Sequence, residues 1–540
     1  MVFLINIIWF IRTIKFVLFW LYLWQLKEYH LGRFVDHFRT YNGKKTLFSY
    51  IYIFKIILLF FCLADNSLIV LLLPVLFFVY IGESALFVYG IYKKTAKRPK
   101  LTLKIGILLI LSFGLIALFL SSTVNLLDQD QLILLLAFDV FLLFIISLIV
   151  LAIQPFFVLA RKIILYRAKE KLKKIKNLSG LKVIAITGSY GKTSTKEFLK
   201  TILSKKYKVL STKEHQNSEI GIANCILKNL QPSHQIFIAE IGAYNKGKIK
   251  EVCDMLNPKI GVVTGVNEQH LALFGSLKNL LSAEGGQELA DSLPKDGLLI
   301  VNGNNKYCLD LLKKSHNLPD SQEKIYSTSN KTTDSDIWTE DIEVSKNNIS
   351  FVVMNKNKEM LNFNVNILGK HNVENLLGAI LVSNELKMSL EEISLACRDI
   401  KQDQAGIILK QGKYEINIID SSYSSNPTGV FADIEYLSLF SGKKVIIMPC
   451  LIELGEKSSE IHKKIGERIG ETCDLAVITT KDRFKEIKTS AIKKGMAEKN
   501  ILLCDNPKDI YSIVTLFCKS GDTILLEGRV PNSLIKLLSK

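Results

Sequence analysis

Four or five long apolar runs fill the first third of this 540-residue chain and restrict its fold more than any other feature. They lie near residues 3–25, 47–64, 67–91, 104–123 and 132–153. Each approaches the roughly 20 residues that a helix needs to cross the apolar core of a bilayer. The pattern predicts an α-helical membrane domain over residues 1–160, with four or five spans.

Charged side chains inside these runs leave two points open. Arg12 and Lys15 lie in the first run, which favours, as an alternative to a span, an amphipathic helix in the membrane interface. Glu83 and Asp139 lie in the third and last runs. They are predicted either to hold helices together or to form a site, and the whole domain is predicted either to anchor the chain or to bind a lipid-linked substrate.

The charge of the loops predicts the orientation of this domain. Residues 1–176 hold 22 Lys and Arg against 8 Asp and Glu, and so account for most of the formal net charge of +18. Basic loops alternate with two links without Lys or Arg, one at Asp65-Asn66 and one around Asp128 and Asp130. Basic loops stay on the cytoplasmic side, so the pattern predicts a multi-pass protein of the cell's inner membrane, with everything after residue 160 in the cytoplasm. Membrane loops thus explain the basic charge, and no nucleic-acid partner is expected.

A glycine turn between a predicted strand and a predicted helix is typical of a phosphate-binding loop. The apolar strand at residues 182–187 leads into Gly188, Ser189, Tyr190, Gly191, Lys192, Thr193 and Ser194. Backbone N–H groups in such a loop bind phosphate oxygens, Lys192 adds a positive charge, and the Thr193 hydroxyl can hold Mg²⁺. The spacing, G-x-x-G-K-T, is two residues shorter than the common loop, so an ordinary glycine turn is the alternative.

Further polar residues follow later predicted strands. Glu240 lies at the end of the strand at 236–241, His270 follows the strand at 261–265, and Glu284 is predicted on the helix led by residues 274–276. Parallel strands place their carboxyl ends at one edge of a sheet, where ligand residues collect. Singly, Glu240 is more often a solvated loop acid and His270 more often a satisfied loop histidine. Together, after a phosphate loop, they indicate an oxygen and imidazole set for Mg²⁺.

Strands and helices alternate after residue 178, which indicates an α/β fold. Residues 161–177 are predicted as a basic juxtamembrane linker, 178–400 as a central domain that carries the phosphate-binding loop, and 401–540 as a small doubly wound C-terminal domain. Two strand-like stretches within 330–362 predict an antiparallel addition to the central domain.

The order of these motifs resembles the Mur ligase family, the ATP-dependent ligases that build the stem peptide of peptidoglycan, and is most similar to the member that adds D-alanyl-D-alanine. The similarity covers about residues 178–540. The matching segments are TGSYGKTSTKE at 187–197, NSEIG at 217–221, AEIGA at 239–243, NEQHLALFGSL at 267–277, GKHNVENLLGAI at 369–380, DSSYSSNP at 420–427 and IELGE at 452–456, with His462 after them.

The resemblance implies a central P-loop ATPase domain, a Rossmann-like C-terminal domain, and ATP and Mg²⁺ as cofactors. The implied residues for the nucleotide are Gly188, Ser189, Tyr190, Gly191, Lys192, Thr193, Ser194, Asn372, Asn375 and Asp420; those for Mg²⁺ are Thr193, Glu240 and His270; those for the substrates are Asn217, Tyr423 and Asn426. Lys192 and His270 would also act in catalysis.

Three departures from the family's pattern modify these expectations. Membrane helices occupy the place of the domain that grips the UDP-sugar, so a lipid-linked acceptor becomes plausible. Glu284 lies in the register where the family often has a carbamylated lysine. We therefore hypothesise that its carboxylate is catalytic and binds a second Mg²⁺, the alternative being a helix-surface glutamate. The family's arginine before Asp420 is absent from Gln404-Ala405-Gly406-Ile407, and Lys410 or Lys413 is a candidate to replace it.

The sequence thus predicts a membrane-bound, ATP-dependent amide ligase of peptidoglycan precursor synthesis that works through an acyl phosphate. Its expected partners are the bilayer, a soluble or lipid-linked precursor, a D-amino-acid dipeptide and proteins of cell-wall synthesis. One alternative is a ligase similar to poly-γ-glutamate synthase. Another is a weakened, nucleotide-binding scaffold at the membrane, which the missing arginine favours.

Overall fold

The computed structural model describes residues 2–38, 41–64, 68–93, 95–213, 216–243, 245–267, 270–314, 318–329, 334–423 and 426–539. Some residues of the predicted link and motifs therefore lie outside the described residues, namely Asp65, Asn66, Glu268, Gln269, Ser424, Ser425 and residues 330–333. The chain divides into two compact units, residues 1–161 and residues 162–540.

The first unit is helical, as predicted from its apolar runs. Its helices are α1 (Val2–Leu26), α2 (Leu31–His37), α3 (Tyr41–Leu47), α4 (Tyr50–Ala64), α5 (Leu68–Tyr92), α6 (Leu103–Thr123) and α7 (Asp128–Ser179), the last of which continues into the second unit. Among the described residues, five segments are long and apolar enough to cross a bilayer by length and composition: Leu4–Leu26, Gly43–Ala64, Pro74–Tyr92, Leu103–Thr123 and Asp128–Ser179.

Four charged side chains meet in the interior of the first unit. Arg12 pairs with both Glu83 and Asp139. The ammonium group of Lys55 lies 2.5 Å from Glu83 Oε2 and 3.1 Å from Asp139 Oδ2. All four are buried. Two cations facing two carboxylates offset the cost of burying charge, and they tie α1, α4, α5 and α7 together.

The basic segment at 161–177, predicted as a linker, is part of helix α7. Ala168, Leu172 and Ile175 recur every three or four residues and are buried in the core of the second unit. The ammonium groups of Lys171 and Lys176 donate hydrogen bonds to the carbonyl oxygens of Leu227 and Leu256, at 2.8 and 3.0 Å. One apolar face of this part of α7 therefore packs against the core of the second unit, while the basic residues on its other faces stay near the surface.

The central domain is built on a nine-stranded sheet, counted over the described residues, with strand order β2-β3-β1-β4-β5-β6-β7-β8-β9. Strands β1 to β7 run parallel, whereas β8 is antiparallel to both β7 and β9, as predicted for the added segment. The strands are β1 (Lys182–Thr187), β2 (Val209–Ser211), β3 (Ile236–Glu240), β4 (Ile260–Val263), β5 (Leu298–Asn302), β6 (Glu323–Ser327), β7 (Ile337–Val344), β8 (Ile349–Asn355) and β9 (Met360–Val365). The helices are α8 (Lys192–Leu203), α9 (Glu219–Asn229), α10 (Lys248–Leu256), α11 (Leu271–Phe274), α12 (Leu277–Ser282), α13 (Gln287–Ala290), α14 (Lys306–Leu312), α15 (His371–Glu385) and α16 (Leu390–Cys397).

The C-terminal domain has a second sheet, of six strands among the described residues, in the order β10-β11-β15-β12-β13-β14. All its neighbours are parallel except β10 and β11. The strands are β10 (Ile408–Gln411), β11 (Asn417–Ser421), β12 (Lys444–Met448), β13 (Leu475–Ile478), β14 (Ile501–Leu503) and β15 (Thr523–Glu527), and the helices are α17 (Pro427–Leu437), α18 (Ser458–Thr472), α19 (Phe484–Lys493), α20 (Pro507–Phe517) and α21 (Asn532–Leu538). This arrangement is the doubly wound sheet that the strand pattern predicts.

Candidate active site

A cavity of about 320 Å³ lies between the central and C-terminal domains, at the carboxyl ends of β1, β3 and β11. It collects most residues singled out from the sequence: its lining includes Ser189, Tyr190, Gly191, Lys192, Thr193, Ser194, Asn217, Glu240, His270, Glu284, Asn372, Asn375, Tyr423 and Asn426. Gly188 and Asp420 are not in the lining but each immediately precedes a lining residue, Ser189 and Ser421. Parallel sheets place ligand-binding residues at this edge.

The glycine turn after β1 has the backbone of a tight, ligand-facing loop. Gly188 and Gly191 have φ values of 139° and 77°, which residues with a Cβ rarely adopt. A Cβ at Gly191 would also collide with the amide of Asn375. The Lys192 ammonium group donates to the carbonyl oxygen of Gly188. The loop is thereby closed around the start of α8, where free N–H groups and the helix dipole favour an anion.

Thr193 and Glu240 meet directly beside this loop. The Thr193 hydroxyl lies 3.1 Å from both carboxylate oxygens of Glu240. The side-chain amide of Asn217 donates to Glu240 Oε1 at 3.1 Å. Glu240 ends β3, the neighbour of β1, so strand register alone brings its carboxylate to the start of α8.

A buried lysine, Lys196, completes this group and was missed in the sequence reasoning. Its ammonium group lies 3.3 Å from Glu240 Oε2 and 3.2 Å from Glu197 Oε1. Its side chain is fully buried, which is rare for lysine unless it is paired. The available signal was spacing, because Lys196 lies one helical turn after Lys192 on the same face of α8.

Glu284 lies beside the phosphate loop and His270. Its Oε2 accepts a hydrogen bond from the Ser189 hydroxyl at 2.8 Å, and its Oε1 lies 2.8 Å from His270 Nδ1. The sequence prediction that Glu284 belongs to a helix is wrong: α12 ends at Ser282, and Glu284 occupies the turn that follows. Ala283 caps the end of α12, and Gly286, with a φ of 88°, caps the start of α13. Glu284 is 2 % exposed, so it is not a helix-surface glutamate.

Two asparagines of α15, Asn372 and Asn375, form a chain of hydrogen bonds along the cavity wall. The Asn375 amide donates to Asn372 Oδ1 at 3.0 Å. Asn372 in turn donates to the carbonyl oxygen of Leu368 at 2.8 Å and, more weakly, to that of Ala405 at 3.4 Å. Ala405 lies where the C-terminal domain begins, so Asn372 contacts both domains.

Asp420 is held by neighbours within its own domain. Its Oδ2 accepts from the Lys410 ammonium group at 2.7 Å and its Oδ1 from the Ser422 hydroxyl at 2.6 Å. Burial alone would raise the pKa of the Asp420 carboxyl, but these hydrogen bonds outweigh it and lower that pKa below its ordinary value. Lys413 instead lies over the ring of Tyr511, at 5.7 Å from its centroid.

Lys410 and Lys413, the candidates to replace the family's arginine, do not line the cavity. An arginine that was not predicted from the sequence does. Arg529 follows β15 and belongs to the cavity lining. It supplies a positive charge on the C-terminal side of the cavity, although it lies more than one hundred residues after Asp420 in the chain.

Tyr423 and Asn426 also lie on the C-terminal wall. Tyr423 is 44 % exposed. The side chain of Asn426 caps α17 by accepting a hydrogen bond from the Gly429 N–H at 3.0 Å, so this residue also has a structural role.

The donor set of the cavity fits Mg²⁺ bound together with phosphates. Carboxylate and hydroxyl oxygens, which hard cations prefer, come from Glu240, Glu284 and Thr193, and His270 adds a nitrogen. Among the described residues, no group of three or more His, Cys, Asp or Glu stands ready to hold a metal by itself. Mg²⁺ is usually bound by one or two carboxylates together with water and substrate phosphates.

Comparison with known proteins agrees with this geometry. The Mur ligase middle domain matches residues 186–383, and the Mur ligase glutamate ligase domain matches residues 408–530. The UDP-N-acetylmuramoyl-tripeptide–D-alanyl-D-alanine ligase of Bacillus subtilis is 27% identical over 65% of this chain and 73% of its own. The enzyme of that name from Buchnera aphidicola subsp. Baizongia pistaciae is 32% identical over 59% of this chain and 67% of its own. In structure, MurF from Acinetobacter baumannii, 22% identical, has a TM-score of 0.61, covering 70% of this chain and 80% of that one.

Proposed function

This chain belongs to the Mur ligase family of ATP-dependent ligases, and on that basis we propose that it is a membrane-bound amide ligase of peptidoglycan precursor synthesis. Its relatives are named as ligases that add D-alanyl-D-alanine to a UDP-N-acetylmuramoyl tripeptide. We propose the same amino substrate here, with a precursor carboxylate as the acceptor.

One observation carries this proposal: a single cavity combines the phosphate loop with two separate pairs, Thr193–Glu240 and His270–Glu284, opposite the C-terminal domain. Phosphoryl transfer needs little covalent chemistry from a protein, but it needs positioning and neutralisation of charge. The loop N–H groups and Lys192 would hold the phosphates of ATP. Asn372 and Asn375 would lie against the nucleotide, and Asp420 would help to position it.

The reaction would consist of two displacements. A precursor carboxylate oxygen attacks the γ-phosphorus of ATP, and ADP leaves, which gives an acyl phosphate. The neutral amine of the second substrate then attacks the acyl carbon, the bond from that carbon to the phosphate oxygen breaks, and phosphate leaves while the nitrogen loses one proton and keeps the other in the amide. Mg²⁺, when bound, would neutralise charge on the phosphates. Lys192 would stabilise the transferring phosphoryl group, and the cavity walls of the two domains would exclude water from the reactive acyl phosphate.

Among the described residues, five apolar segments long enough to cross a bilayer support the membrane part of the proposal. The basic loops support a cytoplasmic second unit, and the buried pairs of Arg12 with Glu83 and Asp139 would allow α1 to span despite its charge. Since these helices precede the matched domains, where the family has its UDP-sugar domain, a lipid-linked precursor is a second candidate acceptor.

The test is phosphate release by the full chain in detergent micelles. Purified protein receives ATP and Mg²⁺ with either UDP-linked or lipid-linked tripeptide, and with either D-alanyl-D-alanine or glutamate. We expect release that depends on both acceptor and D-alanyl-D-alanine, and that is lost in Lys192→Met but kept in Lys200→Met. Lys200 is a matched control because it lies on the same helix with its side chain 47% exposed.

The other results reject the proposal in different ways. Release with glutamate alone would identify a ligase similar to poly-γ-glutamate synthase. Nucleotide binding without release under any combination would identify a scaffold. Equal release by wild type and Lys192→Met would remove the phosphate loop from the mechanism.

A further inference from the structure

Lys15 is a cation in the middle of a segment that is long and apolar enough to cross a bilayer. It lies eleven residues from each end of this segment, Leu4–Leu26. Among the described residues it forms no ion pair with a carboxylate, and its ammonium group lies 5.5 Å from the centre of the Phe16 ring. A lysine in the middle of a span is costly unless an anion or water compensates its charge. Lys15 therefore needs a partner that the described part of the chain does not supply.

The buried charge cluster of the first unit has no carboxylate to spare for Lys15. Glu83 interacts electrostatically with Lys15, but its Oε2 is already paired with Arg12 and Lys55. Asp139 is paired with the same two cations. The cluster is thus balanced, with two cations against two carboxylates. Lys15 adds one positive charge to this balance, and the missing negative charge has to come from outside the described residues.

The side chain of Lys15 belongs to the outer face of α1. Residues at intervals of three or four share one side of a helix, and those on the side of Lys15 are Ile7, Ile11, Leu18 and Tyr22. None of these five residues is buried, whereas the buried residues of α1 lie on the opposite side and pack into the core of the unit. The outer face is therefore an apolar seam with a single charge at its centre, which is a surface suited to packing against another helix.

The depth of Lys15 decides which anion can reach it. Eleven residues of α-helix rise about 16 Å, so lipid phosphates at either surface of the bilayer lie about that far along the helix from Lys15. A lysine side chain has only four methylene groups and cannot cover that distance. A second copy of this chain brings no spare carboxylate to this depth, because its Glu83 and Asp139 are buried in their own cluster. A carboxylate on another membrane-spanning helix can reach Lys15 directly.

We propose that the outer face of α1 binds a transmembrane helix of a partner protein, and that this helix carries an Asp or Glu in the middle of its span. The inference goes beyond the ligase activity and rests only on the membrane part of the proposed function. Charge selects the partner here, because an apolar helix packed along the seam leaves Lys15 without a counter-ion in a medium of low dielectric constant. A helix with a carboxylate at the same depth compensates the charge and covers the seam.

The experiment is energy transfer between the full chain and synthetic transmembrane peptides in vesicles of phosphatidylcholine. Trp9, Trp20 and Trp24 lie in α1 and are the donors, and a dansyl group on each peptide is the acceptor. The peptides are leucine–alanine helices of the length of Leu4–Leu26, with one Asp at the centre, with one Asp near the end, or with no charge. We expect the peptide with the central Asp to bind roughly tenfold more tightly than the other two, as for a polar contact between membrane helices.

The variants assign this preference to Lys15. Lys15→Leu should abolish it, because the leucine has no charge to compensate, and Lys15→Arg should keep it. Lys45→Leu removes an exposed cation outside the outer face of α1 and is the matched control, which should bind as the wild type does. The comparison of the three peptides on the wild-type chain needs no variant to fold.

Three results would overturn the inference. They are equal binding of the central-Asp and uncharged peptides, a preference that survives in Lys15→Leu, and a preference that disappears when phosphatidylglycerol is added, which would assign Lys15 to lipid phosphates. Flotation of the chain with the vesicles reports separately on the membrane part of the proposed function, and acceptor-dependent phosphate release reports on the ligase. A failed helix-binding face is therefore distinguishable from a failed membrane domain and from a failed ligase.

Discussion

The carboxylate of Glu284 lies 2.8 Å from the imidazole Nδ1 of His270, and its other oxygen holds the hydroxyl of Ser189 in the phosphate loop. One side chain thus links the glycine loop after β1 to the histidine that follows β4. Glu284, the residue predicted from the sequence to bind a second Mg²⁺, is buried and lines the cavity.

Replacing Glu284 by Gln should abolish turnover and leave nucleotide binding measurable. The amide keeps the size of the side chain but removes the negative charge that we propose for a second Mg²⁺, so we expect phosphate release to fall by about 100-fold or more. Fluorescent nucleotide titration and phosphate release report the two effects. Asp291→Asn, at an exposed position nearby, is the control. Unchanged turnover in Glu284→Gln would reject the role.

Replacing Lys196 by Met should destabilise the central domain. Glu240 would keep its hydrogen bonds to Thr193 and Asn217 but lose its buried counter-ion, which costs about 3 kcal/mol when one partner of a buried pair is removed. Denaturant unfolding measures the change. Lys200→Met, an exposed change on the same helix, should stay within about 0.5 kcal/mol of wild type. If loss of the ion pair is the cause, adding Glu240→Gln to Lys196→Met should recover part of the lost free energy of unfolding. If the two changes instead lower that free energy additively, the ion pair is not the cause.

His462 should make the C-terminal domain less stable in mild acid. Its Nε2 accepts from the Leu451 N–H at 2.9 Å and its Nδ1 lies 2.6 Å from the carbonyl oxygen of Ser458, a pattern that requires the neutral ring. Burial lowers the pKa of His462 below its ordinary value of 6.5. The unfolded chain therefore binds the proton first, and stability is lost as the pH falls below about 6.5. Unfolding midpoints between pH 8 and 5 measure this loss. His462→Gln should flatten the profile, and an identical slope in the variant would assign the loss to other groups.

Replacing Arg12 by Met should destabilise the first unit, although Met is the more apolar residue. The change leaves Glu83 and Asp139 buried with only Lys55 as a cation, at an expected cost of about 3–5 kcal/mol. Thermal unfolding in micelles, followed by circular dichroism, measures it. Lys45→Met removes an exposed charge and should have little effect. A second change, Glu83→Gln, should restore stability to the Arg12→Met chain, and a further loss of similar size would show that the pairing is not what stabilises the helices.

Local patterns in the chain determined much of this protein. The phosphate loop was predictable because a strand, two glycines and a helix occupy consecutive residues, and glycine conformation needs no distant partner. The long apolar helices were predictable because the length and the hydropathy of a segment can be read directly from consecutive residues. The place of Glu240 followed from parallel pairing, which brings strand ends to one edge.

Only the tertiary structure decided which distant charges meet. Arg12 and Asp139, or Ser189 and Glu284, are separated by about one hundred residues or more, and no local pattern relates them. In the sequence, Lys196 is indistinguishable from a lysine on a helix surface. The tertiary structure buries it beside Glu240, which is its counter-ion. The reason is physical: conformational preference acts between neighbours in the chain, whereas the cost of burying a charge depends on what the fold brings beside it.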